Sequence, residues 1–254
     1  MPRVRPSVTR LVAHRGQSAD LPENTLEALR RAIACGATAV EFDLQLTVDR
    51  VPVLCHDLTL QRTSGVAITL SQTTYSELQQ YSVGEAARLG AGFAGVRLPT
   101  LQQAVALLQE APQVTAFVEL KQESIDAFGA ECLVQQVATQ LQPLAGRCVV
   151  IADSLDALLL YRQRHGGPIG WIVHRWAEGD RALARQHAID YLVIHQKHCL
   201  QRAHDFAADP WAWMVYQTSD PNLASALFAQ GIVLVESNDI CAMLASEPQW
   251  GMPG

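Results

Sequence analysis

Short apolar runs of about five residues recur along the chain: "RLVAH", "TAVEFDL", "AFVEL", "CVVIA", "IGWIV", "YLVIH", "WMVYQ" and "GIVLVE". Between them lie amphipathic or alanine-rich stretches, among them 23–35, 101–110, 127–141, 154–165, 180–187 and 221–230. A run that is apolar at successive positions, rather than at alternate ones, suits a strand buried on both faces. Such strands separated by helices predict a parallel sheet covered by helices. Eight of these units in 254 residues predict a (β/α)8 TIM barrel, with residues 1–254 forming one domain. The competing doubly wound sheet carries a GxGxxG turn after its first strand, which is not found here.

Two segments exceed a bare barrel. In "LTVDRVPVLCHD" a second strand-like run follows Leu44 after too few residues for a helical crossover, so the pair must be antiparallel. With Val48 and Asp49 as the two turn residues of this hairpin, Glu41 faces His56. Residues 58–99, polar and dotted with glycine, are too long for an ordinary loop and are expected to form a small insertion on the same face.

In a barrel of this kind the site lies at the C-terminal ends of the strands. The first apolar run ends in His14 and Arg15, the second carries Glu41 and Asp43, and the third ends in Glu119 and Lys121. Residues two apart share a face of a strand, so these side chains are expected to converge, with His56 folded back by the hairpin. Three carboxylates without a thiolate describe an oxygen site for one hard divalent cation, Mg2+ or Ca2+. Arg15 and Lys121 bring positive charge suited to a phosphate, and His14 and His56 can share the proton transfers of its cleavage. Asn24 reads as the N-cap of the first helix and Glu23 as a solvated acid of its first turn. His174, with Arg175 and Trp176, is a candidate for the substrate wall.

Composition narrows the partners. A formal net charge of −6 argues against a nucleic acid, which needs a basic face. The chain has neither a signal peptide near Met1 nor 18 consecutive apolar residues, so a soluble cytoplasmic protein without a membrane anchor is expected. The six cysteines, Cys35, Cys55, Cys132, Cys148, Cys199 and Cys241, show no metal-type spacing and read as reduced, buried thiols. Nothing in the sequence sets the oligomeric state.

"AHRG" with "PENT", "EFDLQLTVDRVPVLCHD", "QRTSG", "LPTLQQA" and "FVELK", spanning Leu11 to Lys121, resemble in order the signature of the glycerophosphodiester phosphodiesterases. The resemblance implies a TIM barrel with an insertion after its second strand, and hydrolysis of a small-molecule glycerophosphodiester to sn-glycerol 3-phosphate and an alcohol. It implies His14 and His56 as the acid/base pair, Glu41, Asp43 and Glu119 as metal ligands, and Arg15 and Lys121 as phosphate contacts. It also implies first attack by the glycerol 2-hydroxyl, giving a cyclic phosphate that water opens. The later strands depart from it: Tyr216 stands where a Trp is usual, Leu155 where an aromatic is common, and "VESN", Glu236 to Asn238, where Thr-Asp is frequent. Tyr216 and His174 are therefore the candidate substrate-pocket residues. A lysophospholipase D-like phosphodiesterase is the nearer alternative activity, and a non-catalytic glycerophosphodiester-binding protein the alternative of another class.

Overall fold

The computed structural model of the chain describes residues 10–175, 177–200 and 204–246. Nine strands form: β1 (Leu11–His14), β2 (Ala39–Leu46), β3 (Pro52–Leu54), β4 (Thr115–Leu120), β5 (Cys148–Ala152), β6 (Ile169–Val173), β7 (Tyr191–His195), β8 (Ala212–Tyr216) and β9 (Leu234–Ser237). All but β3 are parallel, and β1 pairs with both β2 and β9, which closes eight strands into a TIM barrel. β3 lies antiparallel on β2.

The alternation of side chains divides each strand between two packing layers. Val12, Ala39, Phe117, Val149, Ile151, Ile172, Val193, Met214 and Leu234 fill the barrel interior as one buried cluster. Their neighbours, such as Val40, Phe42 and Leu44 of β2, belong to the larger cluster packed under the helices. On β2, therefore, Glu41 and Asp43 share the inward face with Ala39.

The helices are α1 (Leu26–Ala34), three single turns α2 (Gln61–Ser64), α3 (Tyr75–Leu78) and α4 (Ala86–Leu89), then α5 (Leu101–Gln109), α6 (Gln122–Phe128), α7 (Ala130–Leu141), α8 (Leu155–His165), α9 (Glu178–Gln186), α10 (Pro221–Ala229) and α11 (Ile240–Ser246); α1, α5, α7, α8, α9 and α10 fall in the stretches expected to be helical. α1 is capped by Thr25, whose side chain accepts from Ala28 N, and not by Asn24 as the sequence suggested. α2 to α4 lie in the insertion. It buries Leu60, Leu70, Leu78, Val83, Val96 and Leu98 in a cluster of its own against Val53 and Cys55.

The hairpin differs from expectation by one residue. Its ladder pairs Leu44 with Leu54, Gln45 with Val53 and Leu46 with Pro52. Cys55 N then donates to Asp43 O (3.1 Å), so Asp43 faces Cys55 and Glu41 is not opposite His56. The cause is a three-residue turn. Thr47 N donates to Val51 O (3.2 Å), the Thr47 hydroxyl accepts from Val51 N (2.9 Å), and Arg50 takes a left-handed φ of 61°. Such a turn adds one residue to the loop and shifts the register by one. β3 ends at Leu54, so His56 stands beyond the ladder and strand alternation does not govern its side chain.

A second correction concerns the thiols. Cys35, at the end of α1, is joined to Cys241 in α11 by a disulfide spanning 206 positions of sequence. These two elements are brought together only by barrel closure, which sequence spacing does not reveal. Cys55, Cys148 and Cys199 are buried thiols outside that bond, as expected, and Cys132 is a half-buried one. No helix among the described residues is long and apolar enough to cross a membrane. Thiol titration of the denatured chain is expected to count four thiols without reductant and six with it; six without reductant contradicts the Cys35–Cys241 bond.

Candidate active site

Immediately after β1 the backbone turns through two left-handed residues, Arg15 (φ 56°) and Gly16 (φ 80°). Gly16 is required here, because a Cβ would lie 2.5 Å from the backbone carbon of Ala28. The turn sends the Arg15 backbone N–H to Glu41 Oε2 (3.1 Å). Its guanidinium lies 3.1 Å from Asp43 Oδ2 through Nε and 2.9 Å from Glu23 Oε1 through Nη1. His14 is buried; its Nδ1 is 2.6 Å from Asn238 Oδ1 and its Nε2 4.0 Å from Glu41 Oε2.

The strand register sets the carboxylates side by side, with His14 opposite Glu41 and Asp43 opposite Glu119. One oxygen from each of Glu41, Asp43 and Glu119 lies within 4.8 Å of the others. Asn24 holds Asp43 from both sides: its amide donates to Asp43 Oδ2 (2.8 Å) and its Oδ1 accepts from Asp43 N (3.0 Å). That exchange explains why Asn24 is buried rather than capping α1. Lys121 Nζ donates to Glu119 Oε1 (2.6 Å) and lies 3.6 Å from Asp43 Oδ1.

Burial raises the pKa of each acid here, and the neighbours decide the outcome. Glu41 is pushed well above the usual carboxylate range by burial, then by the charges of Asp43, Glu236 and Glu119. Burial and Asp43 push Glu119 up to about 7 against the pull of Lys121. At Asp43 the burial effect is the largest single influence, yet Arg15, Lys121, His56 and the Asn24 bond together outweigh it and hold the acid low. Glu41 Oε1 and Asp43 Oδ1 are buried and accept no hydrogen bond. Buried acceptors without donors are costly, so an all-oxygen set with open lone pairs fits a hard divalent cation. His14 is lowered to about 4, chiefly by burial and then by Arg15, and is neutral at pH 7.

The second histidine stands on the insertion side. His56, about one-third exposed (35%), has Nδ1 2.6 Å from Asp57 Oδ1, and it lines a small cavity with Glu23, Asn24 and Thr63. Glu23 is not solvated, contrary to the sequence reading. It precedes α1, accepts from Arg15 and Arg62, and its backbone N–H donates to Glu85 Oε1 (2.7 Å).

The far wall of the barrel mouth is less regular. The His174 ring is largely exposed (67%), with Nε2 2.8 Å from Asp153 Oδ1. Tyr216 pairs with His195 in register, and their rings meet edge to face at 5.2 Å. Burial, then the charges of Asp153 and Glu236, raise the Tyr216 hydroxyl to about 12. Trp176 lies outside the described residues. Glu236 is buried opposite Val12 with Oε1 unpartnered, and burial followed by Glu119 and Asp43 raises its pKa well above the usual range. Sequence reasoning noted Glu236 only as a departure. Its spacing from Asn238 at the end of an apolar strand is the signal that places both on the inward face.

The profile of the glycerophosphoryl diester phosphodiesterase family matches residues 14–235, and the chain belongs to that family. Glycerophosphodiester phosphodiesterase 1 of Bos taurus is 33% identical over 164 residues, covering 65% of this chain and 48% of its own length. The glycerophosphodiester phosphodiesterase of Caldanaerobacter subterraneus subsp. tengcongensis is 39% identical over 100 residues, 39% of this chain and 40% of its own. The chain thus spans about half the length of the curated mammalian relative it matches. Among solved structures, an Oleispira antarctica phosphodiesterase in complex with the product sn-glycerol-3-phosphate superposes with a TM-score of 0.84 at 24% identity, covering 95% of this chain and 97% of that one. At that identity it speaks for the fold.

The raised acids set a pH dependence. Glu119 and Glu41 take up protons on folding, so the ion-free protein loses stability as pH climbs from the ordinary carboxylate range through about 7. A cation competes with those protons, and its affinity rises over the same window. Added Mg2+ or Ca2+ is therefore expected to raise the melting temperature more at pH 8 than at pH 6 in scanning calorimetry. A shift that is absent, or equal at the two pH values, contradicts the assignment of these acids.

Proposed function

We propose that the chain hydrolyses glycerophosphodiesters to sn-glycerol 3-phosphate and an alcohol, with one divalent cation, Mg2+ or Ca2+, held by Glu41, Asp43 and Glu119. The observation that carries the reading is the gathering of these three carboxylates, two cations and His14 at one rim of the barrel, with His56 lining the adjoining cavity. Membership of the family supports the substrate class. The whole chain, residues 1–254, acts as one unit in this reading, and its insertion at 58–99 forms part of the active-site face.

Arg15 and Lys121 hold the phosphate oxygens, Arg15 through its planar fork and Lys121 as a point charge. When bound, the cation supplies electrostatic stabilisation of the charge that builds on the phosphoryl oxygens, worth several kcal/mol. His14, neutral at pH 7 because burial lowers it to about 4, accepts the proton of the attacking oxygen at Nε2. Its Nδ1 is occupied by Asn238. His56 gives a proton to the departing alcohol oxygen. Each transfer is worth roughly 10²–10⁴ in rate. Tyr216 and His174 line the wall that meets the substrate's organic ends.

A membrane-facing lysophospholipase would want an apolar rim. The large apolar side chains that stand exposed among the described residues are Val48, Leu183 and Leu200, none of them in the insertion, which favours a soluble diester. A protein that only bound such a diester would need charge and no proton-transfer pair, and two histidines support turnover. The Cys35–Cys241 disulfide suits an oxidising compartment rather than the reducing cytoplasm expected from the sequence.

His14→Ala and His56→Ala are each expected to lower hydrolysis of glycerophosphocholine or glycerophosphoethanolamine by at least about 10²-fold with folding intact. Chelation abolishes turnover, and added Mg2+ or Ca2+ restores it. Turnover retained in either variant removes that histidine from the reaction, and indifference to chelator removes the cation.

A further inference from the structure

We propose that Arg62, in the "QRTSG" turn of the insertion, is a positioning residue that holds His56 in its working tautomer through Asp57 and locks that pair to the Arg15 side of the site. The inference rests on the hydrolytic reading given above.

Arg62 uses all its nitrogens on two carboxylates. Nε donates to Asp57 Oδ2 (2.7 Å), while Nη1 and Nη2 donate to Glu23 Oε2 and Oε1 (both 2.7 Å). Asp57 is thereby fully occupied, its other oxygen, Oδ1, lying 2.6 Å from His56 Nδ1. Glu23 accepts in turn from Arg15 Nη1 (2.9 Å), and Arg15 Nε stands 3.1 Å from Asp43 Oδ2. One chain of charge-assisted contacts thus runs from His56 through Asp57, Arg62, Glu23 and Arg15 to the carboxylate cluster.

The chemistry of each link fixes the next. Arg62 and His56 hold Asp57 as an ionised acid, which has no proton to donate. His56 must then keep a hydrogen on Nδ1 in both charge states, leaving Nε2 to take up the proton that it gives to the departing oxygen. Among the described residues Asp57 Oδ2 accepts from Arg62 alone, so without Arg62 the carboxylate can rotate and release the ring. The planar fork reaches two acids in fixed directions, which an ammonium cannot do. The Arg62 side chain is 43% exposed, and half-exposed ion pairs contribute little to stability. Three short contacts on such a residue point to orientation. α2 is set for this purpose: Leu60 and Thr63 are buried, and Gly65 ends the turn at a φ of 79°.

The test combines kinetics with imidazole NMR on the full chain. Arg62→Gln is expected to leave the melting temperature and KM for glycerophosphocholine nearly unchanged and to lower kcat by about 10- to 10²-fold, the scale of a misplaced catalytic group. Arg62→Lys should fall between Arg62→Gln and the native protein. Arg62→Gln combined with Asp57→Asn should lose no more than Asp57→Asn alone, since both act through one ring. Two-bond nitrogen–proton spectra should show His56 with Nδ1 protonated in the native protein and a tautomer mixture in Arg62→Gln. Unchanged kcat, a loss confined to KM, multiplicative losses in the double variant, or an unaltered His56 spectrum would each overturn the proposal. A native protein that cleaves no glycerophosphodiester refutes the function instead, and the spectra still decide the role of Arg62.

Discussion

Like charges buried at close range constrain everything else in this barrel mouth. Oxygens of Glu41, Asp43 and Glu119 converge within 4.8 Å, and Glu236 adds a fourth acid on the inward face. In a low-dielectric interior such a set cannot stay ionised without positive charge close by. The chain answers with Arg15, Lys121 and the Asn24 amide at Asp43, and with raised pKa values at Glu41, Glu119 and Glu236. The turn at Arg15 and Gly16 follows from the same need: it brings an N–H to Glu41 and a guanidinium to Asp43 within one residue.

The scaffold divides the labour between rigid and adjustable parts. β1, β2 and β4 carry the acids and Lys121 in fixed register, because their outer faces are locked against the helices. His56 instead rides on the segment after β3, where its orientation depends on side-chain bonds rather than on a ladder. The two imidazoles are consequently held by different means, His14 by a neutral amide in a buried place and His56 by an acid near solvent. That difference suits opposite proton roles.

The fold was legible because each barrel strand is apolar at successive positions and each intervening helix is long enough to cross over. The near half of the site was legible for a related reason, since Glu41 with Asp43 and Glu119 with Lys121 interrupt apolar runs at two-residue spacing. What escaped depended on geometry that spacing does not encode. The hairpin register turned on the left-handed Arg50, the disulfide on the meeting of α1 and α11, and the position of Glu23 on two arginines distant in sequence. Asn24 looked like a cap because caps and buried amides use the same residue types. Asp57 and Arg62 stand five positions apart, and spacing alone does not show that the fold sets Asp57 against His56 and Arg62 against Asp57 and Glu23.

The central claim is that the three acids gather around one divalent ion. Anomalous scattering from crystals soaked in Mn2+, a hard cation readily located, addresses it without reference to turnover. A single strong peak is expected about 2.0–2.6 Å from oxygens of Glu41, Asp43 and Glu119. No peak there, or a peak bound to other residues while those oxygens remain paired with Arg15 and Lys121 alone, would contradict it.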